Sequence, residues 1–245
     1  MATLYRAVKS AFRATVPRSA NEWIFGGHHP LSRAILAAKR RLERGAEHDD
    51  LYDEPYFRRQ DGFMRESAKA IADTLVEKYR PKDAVDFGCG SGSILAALRE
   101  RGVSVRGFDY AEGALRICRE KGLDVAKFDL EAEATLPVSP VDLVISTEVA
   151  EHLPESVADR YVKLLCDASR HVIVMTAATP GQGGTDHVNE QPHAYWIEKF
   201  SANGFAHRAD QTRETRQRWT ELDVESNRAS NVLIFTKQAD SPSAT

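Results

Sequence analysis

An aspartate, three glycines at alternate positions and a second aspartate one strand later constrain this chain more than any other feature. Val85-Asp86-Phe87-Gly88-Cys89-Gly90-Ser91-Gly92-Ser93-Ile94-Leu95 reads as a buried strand, a glycine-rich turn and the first turn of a helix. Asp109 follows a second strand, Val103 to Phe108, and stands 21 residues after Gly88. That is about the spacing at which a ribose-binding acid follows the glycine turn in doubly wound nucleotide folds. Glycines let backbone approach a ligand with no Cβ in the way, and a helix beginning near Ser93 points free N–H groups at it. These residues point to a nucleoside-containing cofactor.

A dinucleotide fingerprint wants glycine at its sixth position for close helix–strand packing. Ser93 stands there, which argues against a nicotinamide dehydrogenase, and the pattern is D-x-G-x-G-x-G. It resembles motif I of the class I S-adenosylmethionine-dependent methyltransferases. The resemblance implies that Asp86 helps hold the methionine amino group, directly or through water. It implies that Gly88 and Gly90 let the backbone pass close to the cofactor and that Asp109 takes the ribose hydroxyls. Cys89, Gly92, Tyr110 and Thr147 join them as expected cofactor contacts.

Ala126 to Leu130 ends a third short strand in an acid and a leucine. In the family that acid, here Asp129, accepts the adenine amino group, and apolar neighbours such as Leu130 flank the ring. Read from the residues alone, Asp129 serves equally as a loop acid capping the next element. Val141 to Ser146 is a nearly continuous apolar run, as a strand buried on both faces should be. It leads into Thr147-Glu148-Val149-Ala150-Glu151-His152-Leu153-Pro154, which is similar to the family's segment after strand four. The resemblance covers roughly residues 52 to 237.

Helical spacing over 61–79, stopped by Pro81, and further helices near 92–101, 111–121, 155–168, 192–203 and 211–222 alternate with seven strands. The last three strands are His171 to Thr176, one starting at Phe205, and Val232 to Thr236. This predicts an α/β fold: a doubly wound, mostly parallel seven-stranded sheet of the Rossmann-like methyltransferase type. Residues 51–237 form the expected methyltransferase domain, 1–50 a basic helical extension or cap, and 238–245 a disordered tail.

Nine basic residues oppose two acids up to Arg44, so this segment carries +7 in a chain of net −3. Leu4, Val8, Ala11 and Phe12 share one helical face there. Such a stretch either caps the core or rests on an anionic membrane surface. No apolar run approaches the ~20 residues of a membrane span, and no signal-peptide core is evident. Three cysteines with no C-x-x-C pair fit a reducing cytoplasm. Nucleic acid is disfavoured, since no basic patch is interleaved with aromatics.

Methyl transfer to a hydroxyl needs alignment, a dry site and a base or metal for the proton. His152 directly after strand four is the best-placed base. Glu148-x-x-Glu151-His152 also resembles the arrangement of metal-using small-RNA 2′-O-methyltransferases and ubiquinone-pathway O-methyltransferases, where a histidine after strand five helps. His187 and His193 occupy that region here, and two carboxylates with imidazoles suit Mg²⁺, Mn²⁺ or Zn²⁺. The same residues occur in family members without metal.

Tyr52, Tyr56 and Phe57 resemble an aromatic lid ahead of the first helix that borders the acceptor. Gln182 and Asn189, with His187 and His193, give the loop after strand five a polar lining. The expected acceptor is a polar small molecule or saccharide of a surface-glycan or natural-product pathway. RNA 2′-O-methylation and a non-catalytic cofactor-binding module are the alternatives.

Overall fold

The computed structural model describes residues 54–238, apart from 134, 136, 137 and 185. All of these fall in one compact unit, Asp49–Thr245, separate from Met1–His48. The basic extension, Tyr52 and the tail from residue 239 lie outside the described residues.

The first helix, α1 (Glu54–Tyr79), buries Phe57, Met64, Ala68, Ile71, Ala72 and Leu75, a helical stripe laid on the sheet. It starts seven residues before the expected position. Pro55 sits in its first turn, where a missing N–H costs nothing, and Glu54 accepts hydrogen bonds from Arg58 and Arg116. Tyr56 and Phe57 are therefore helical residues.

Then follow β1 (Asp83–Phe87), α2 (Ser93–Glu100), β2 (Ser104–Asp109), α3 (Glu112–Glu120), β3 (Val125–Lys127) and β4 (Val141–Ser146). Val103, expected in the second strand, closes α2 instead, its N–H bonded to the Leu98 carbonyl. Two single-turn 3₁₀ segments, Ala150–His152 and Glu155–Val157, lead to α4 (Ala158–Ala168) and β5 (Ser169–Met175). The chain ends with α5 (His193–Ala202), β6 (Phe205–His207), α6 (Ala209–Glu221), α7 (Ser226–Asn231) and β7 (Leu233–Lys237). Helix α7 has no counterpart in the sequence pattern: its sequence, SNRASN, carries no apolar period, and Glu225 builds it by accepting from the Asn227 and Arg228 N–H groups.

The seven strands order as β3-β2-β1-β4-β5-β7-β6, with only β7 antiparallel to its neighbours. One apolar core, on the α4–α5 face, gathers Phe87, Phe108, Tyr161, Trp196 and Phe235. The other packs α1, α2 and α6 through Ile71, Leu98, Ile145 and Trp219. Since chain order reverses between β1 and β4, the crevice for a ligand opens beyond the carboxyl ends of those two strands. Among the described residues, no helix is long and apolar enough to cross a membrane.

Candidate functional site

Phe87 ends β1, and the next six residues make three left-handed bends, at Gly88 (φ 78°), Gly90 (φ 53°) and Gly92 (φ 72°). Two of these glycines answer to packing. A Cβ on Gly88 would meet Val149 Cγ2 at 2.3 Å, and one on Gly92 would meet Leu123 at 2.5 Å and Cys118 at 2.8 Å. A Cβ on Gly90 would meet only Phe57 Cε1, at 3.8 Å, an ordinary contact, so space alone does not demand glycine there and the Phe57 ring lies over it. The sequence pattern places the expected cofactor cradle in this loop.

Asp109, at the end of β2, closes the cradle. Its Oδ2 accepts from Gly90 N at 2.8 Å and its Oδ1 from Ala111 N at 2.9 Å. Asp86 is 3% exposed, and its Oδ1 has no hydrogen-bond partner. Burial, then the Asp109 charge, pushes its carboxyl up to about 7, against a pull from Arg228. A buried carboxyl with one unpartnered oxygen, next to the glycine loop in sequence, suits a ligand ammonium.

One residue of this cradle escaped the sequence reading. Asp61, on α1, accepts from Ser91 Oγ at 3.2 Å, Ser93 Oγ at 2.7 Å and Lys121 Nζ. Lys121 Nζ also donates to the Ser91 carbonyl at 2.9 Å. Ser93, out of place in a dinucleotide loop, thus ties the loop to α1. Removing a hydrogen-bonded charge costs about 1.5–3 kcal/mol. Asp61→Ala should therefore weaken S-adenosylhomocysteine binding about tenfold in calorimetry, and equal affinity in both proteins would show that the clamp is not needed.

The other expected cofactor residues occupy the rim. Lys127 Nζ lies 4.5 Å over the Tyr110 ring. Asp129 stands two residues beyond β3, with Oδ1 accepting from the Glu131 and Ala132 N–H groups at 2.8 and 3.2 Å. Cys89 and Thr147 are buried, and Leu130 packs on the core. Phe57 and Tyr56 pack against Ala111, Ala114 and Ile117 beside the glycine loop.

Across the crevice, the segment after β4 meets the loop after β5. Glu151 is fully buried, and its backbone carbonyl accepts from Val188 and Asn189 N–H at 2.9 and 3.1 Å. Neither carboxylate oxygen has a well-aligned partner. Burial, then the Glu148 charge, pushes Glu151 up to about 8, although its own N–H and that of Ala178 pull it back.

Glu151, His152 and His187 place one ligand atom each within 4.8 Å of one another. The two imidazoles meet edge to face at 5.0 Å. His187 Nδ1 lies 3.0 Å from Glu190 Oε1, and the Glu190 carboxylate also accepts from Gly181 and Gly183 N–H. Burial raises the Glu190 pKa, but the hydrogen bonds from His187 and the two glycines outweigh it and leave it lowered.

Glu148 is not in this group. It adopts φ 57°, with its Oε1 accepting from Thr176 Oγ1 at 2.7 Å and its N–H donating to the same hydroxyl. His193, the first residue of α5, accepts instead from Arg216 Nη2 at 3.2 Å, and burial followed by the Arg216 charge lowers its pKa. Of the polar loop residues, Gln182 accepts from Asn231 at 2.6 Å, while Asn189 is 3% exposed with its side-chain N–H₂ unpartnered.

The sequence profile of a methyltransferase domain matches residues 85–173. Over 80 residues the chain is 39% identical to the ubiquinone biosynthesis O-methyltransferase of Methylococcus capsulatus and 35% identical to that of Stutzerimonas stutzeri. Each match takes in 30% of this chain and 34% of the relative, so the chain spans about a third of the length of these curated relatives. Among solved structures, a SAM dependent methyltransferase from Archaeoglobus fulgidus superposes with TM-score 0.54 at 20% identity, over 74% of this chain and 99% of the other. Magnesium protoporphyrin IX methyltransferase from Synechocystis, with bound SAH, gives 0.51 at 16%, over 91% and 100%. The stretch that holds the glycine cradle and Asp109 is thus the stretch that matches a methyltransferase domain, residues 85–173, set on a sheet ordered β3-β2-β1-β4-β5-β7-β6.

Proposed function

We propose that this chain transfers a methyl group from S-adenosylmethionine to a hydroxyl oxygen of a polar small molecule or saccharide. The observation that carries this reading is the Glu151–His152–His187 group, set across the crevice from the glycine cradle. A hydroxyl acceptor must lose its proton, and these residues can take or redirect it. The ubiquinone-pathway relatives, named as O-methyltransferases, favour oxygen as the methylated atom.

S-adenosylmethionine supplies the electrophilic methyl, so the chain's own task is alignment, dryness and proton handling. Asp109, held in place by the Gly90 N–H, fixes the nucleoside end, and Asp86 serves the amino-acid end. Phe57 lies over the loop and keeps water out. At the acceptor side, His152 is the base for the hydroxyl proton.

The donor set also fits a divalent ion, since the bare, buried Glu151 carboxylate is unexplained without a cation or a proton. Such an ion would lower the pKa of the acceptor hydroxyl. Glu151, one nitrogen of His152 and His187 Nε2 would hold it. With Glu190 accepting from His187 Nδ1, the ring is held in orientation and the other nitrogen, Nε2, would be the one left for an ion.

Calorimetry with Mn²⁺ on S-adenosylhomocysteine-loaded protein, paired with a methyl-transfer assay on catechol as a simple diol, tests the reading. A saturable metal heat abolished in Glu151→Ala, with loss of transfer, is expected. In the same assay Glu190→Gln should weaken Mn²⁺ binding about tenfold or more. Transfer that is unaffected by Glu151→Ala and His152→Ala would remove these residues from the mechanism.

A further inference from the structure

Helix α7 carries Arg228 at the carboxyl end of the sheet. Arg228 lies in its first turn, and the helix runs through Val232 into β7, whose Leu233 pairs with Met175 at the carboxyl end of β5. It therefore stands at the same edge of the sheet as the glycine loop and Glu151. The Arg228 side chain is 20% exposed, and its Nε is buried with no hydrogen-bond partner.

Its one side-chain hydrogen bond among the described residues runs from Nη1 to Glu225 Oε2, at 3.2 Å. Glu225 cannot do more. Its carboxylate already caps α7 through Asn227 N and Arg228 N, and its own N–H is held by Ser67 Oγ of α1 at 3.0 Å. A buried donor left bare is costly, so a half-satisfied guanidinium calls for an anionic partner.

The neighbouring groups sharpen this. Asp86 Oδ1 and both Glu151 carboxylate oxygens are likewise buried with no well-aligned hydrogen-bond partner, beyond or at the carboxyl ends of β1 and β4. Among the described residues, no hydrogen bond joins the Arg228 guanidinium to either carboxyl group. A ligand that carries its own acid group next to a cationic or hydrogen-donating group would satisfy both sides.

We propose that Arg228 is the carboxylate-binding residue of this site, pairing through Nε and an Nη with an acid group of the bound ligand. The inference rests on the methyl-transfer reading above. The acid group has two sources: the amino-acid end of the cofactor, or a carboxylate on the acceptor. A planar fork takes a carboxylate through two parallel hydrogen bonds, which a lysine cannot reproduce.

The test compares wild type, Arg228→Lys and Arg228→Met, each checked for an intact thermal transition, against two matched pairs of probes. S-adenosylhomocysteine is paired with methylthioadenosine, which lacks the amino-acid end. Protocatechuate is paired with catechol, which lacks the carboxylate, both on S-adenosylhomocysteine-loaded protein. In Arg228→Met a carboxylate-bearing probe should lose tenfold or more in affinity while its carboxylate-free counterpart is unchanged, with Arg228→Lys in between.

A loss confined to S-adenosylhomocysteine assigns the cofactor's carboxylate, and one confined to protocatechuate assigns an acidic acceptor. Equal affinities in wild type and Arg228→Met, or equal losses for both members of a pair, overturn the proposal. Failure of wild type to bind S-adenosylhomocysteine would instead sink the methyl-transfer reading itself.

Discussion

Asp86→Asn is expected to make the ligand-free chain more stable at pH 8, relative to wild type, than it is at pH 4, while weakening cofactor binding. Asp86 has an ordinary carboxyl pKa of 3.8 that rises to about 7 in the fold, through burial first and the Asp109 charge second. The folded chain therefore binds a proton between these values that the unfolded chain has released. Stability is full below about pH 4, falls as pH rises through 7, and levels off above.

A tenfold change in proton affinity is worth about 1.4 kcal/mol, so the pH-linked loss is on the order of 4 kcal/mol. Asparagine carries no such dependence. Its amide brings an unsatisfied donor of its own, so the difference between the two pH values is the informative quantity. Chemical denaturation of both proteins from pH 4 to 8 measures it, and parallel curves would count against a bare Asp86. A cofactor ammonium would restore the ionised carboxylate, so wild-type binding of S-adenosylhomocysteine near pH 6 should release protons that Asp86→Asn does not.

Asp109→Ala should produce the largest loss of cofactor affinity, about two orders of magnitude. The residue has two duties. By resemblance it takes the ribose hydroxyls, and in the structure it holds the Gly90 and Ala111 N–H groups. Hydrogen bonds to a charged group are worth about 1.5–3 kcal/mol, and 1.4 kcal/mol is tenfold in affinity.

Asp109→Asn keeps one acceptor oxygen and should fall between wild type and alanine. Calorimetric titration with S-adenosylhomocysteine reads the series, and an alanine variant that binds within threefold of wild type would displace Asp109 from the cofactor. Because its charge raises the Asp86 pKa, Asp109→Ala should also flatten the pH dependence described above. The two substitutions are thus expected to be non-additive.

The parts of this protein legible in its sequence are those governed by local chemistry. The motif glycines could be read because a left-handed turn excludes side chains, and all three have positive φ. Strand β4 could be read to the residue, since a strand buried on both faces leaves a continuous apolar run. One boundary moved: the aromatic segment is expected ahead of the first helix, yet Pro55 is compatible with a first helical turn, and α1 includes Tyr56 and Phe57.

Grouping of the acid and histidine candidates was beyond the sequence. Glu148 and Glu151 share one motif, but a left-handed residue between strand and 3₁₀ turn sends Glu148 to Thr176, while Glu151 joins His187. His187 and His193 are six residues apart, and the start of α5 turns the second toward Arg216. Asp61 and Arg228 carried no signal at all, because each acts on groups 30 or more positions away.

The sequence by itself determined the sheet, the glycine cradle and the acid at the end of β2, because periodicity and φ preference act within a few residues. Only the tertiary structure decided which charges are left bare. Burial of Asp86 and Glu151, and the half-satisfied guanidinium of Arg228, come from segments far apart in the chain packing together, such as the loop after β5 on Glu151 and α1 on the start of α7. The electrostatic cost of a charge depends on that enclosure and on nothing written beside it in the chain.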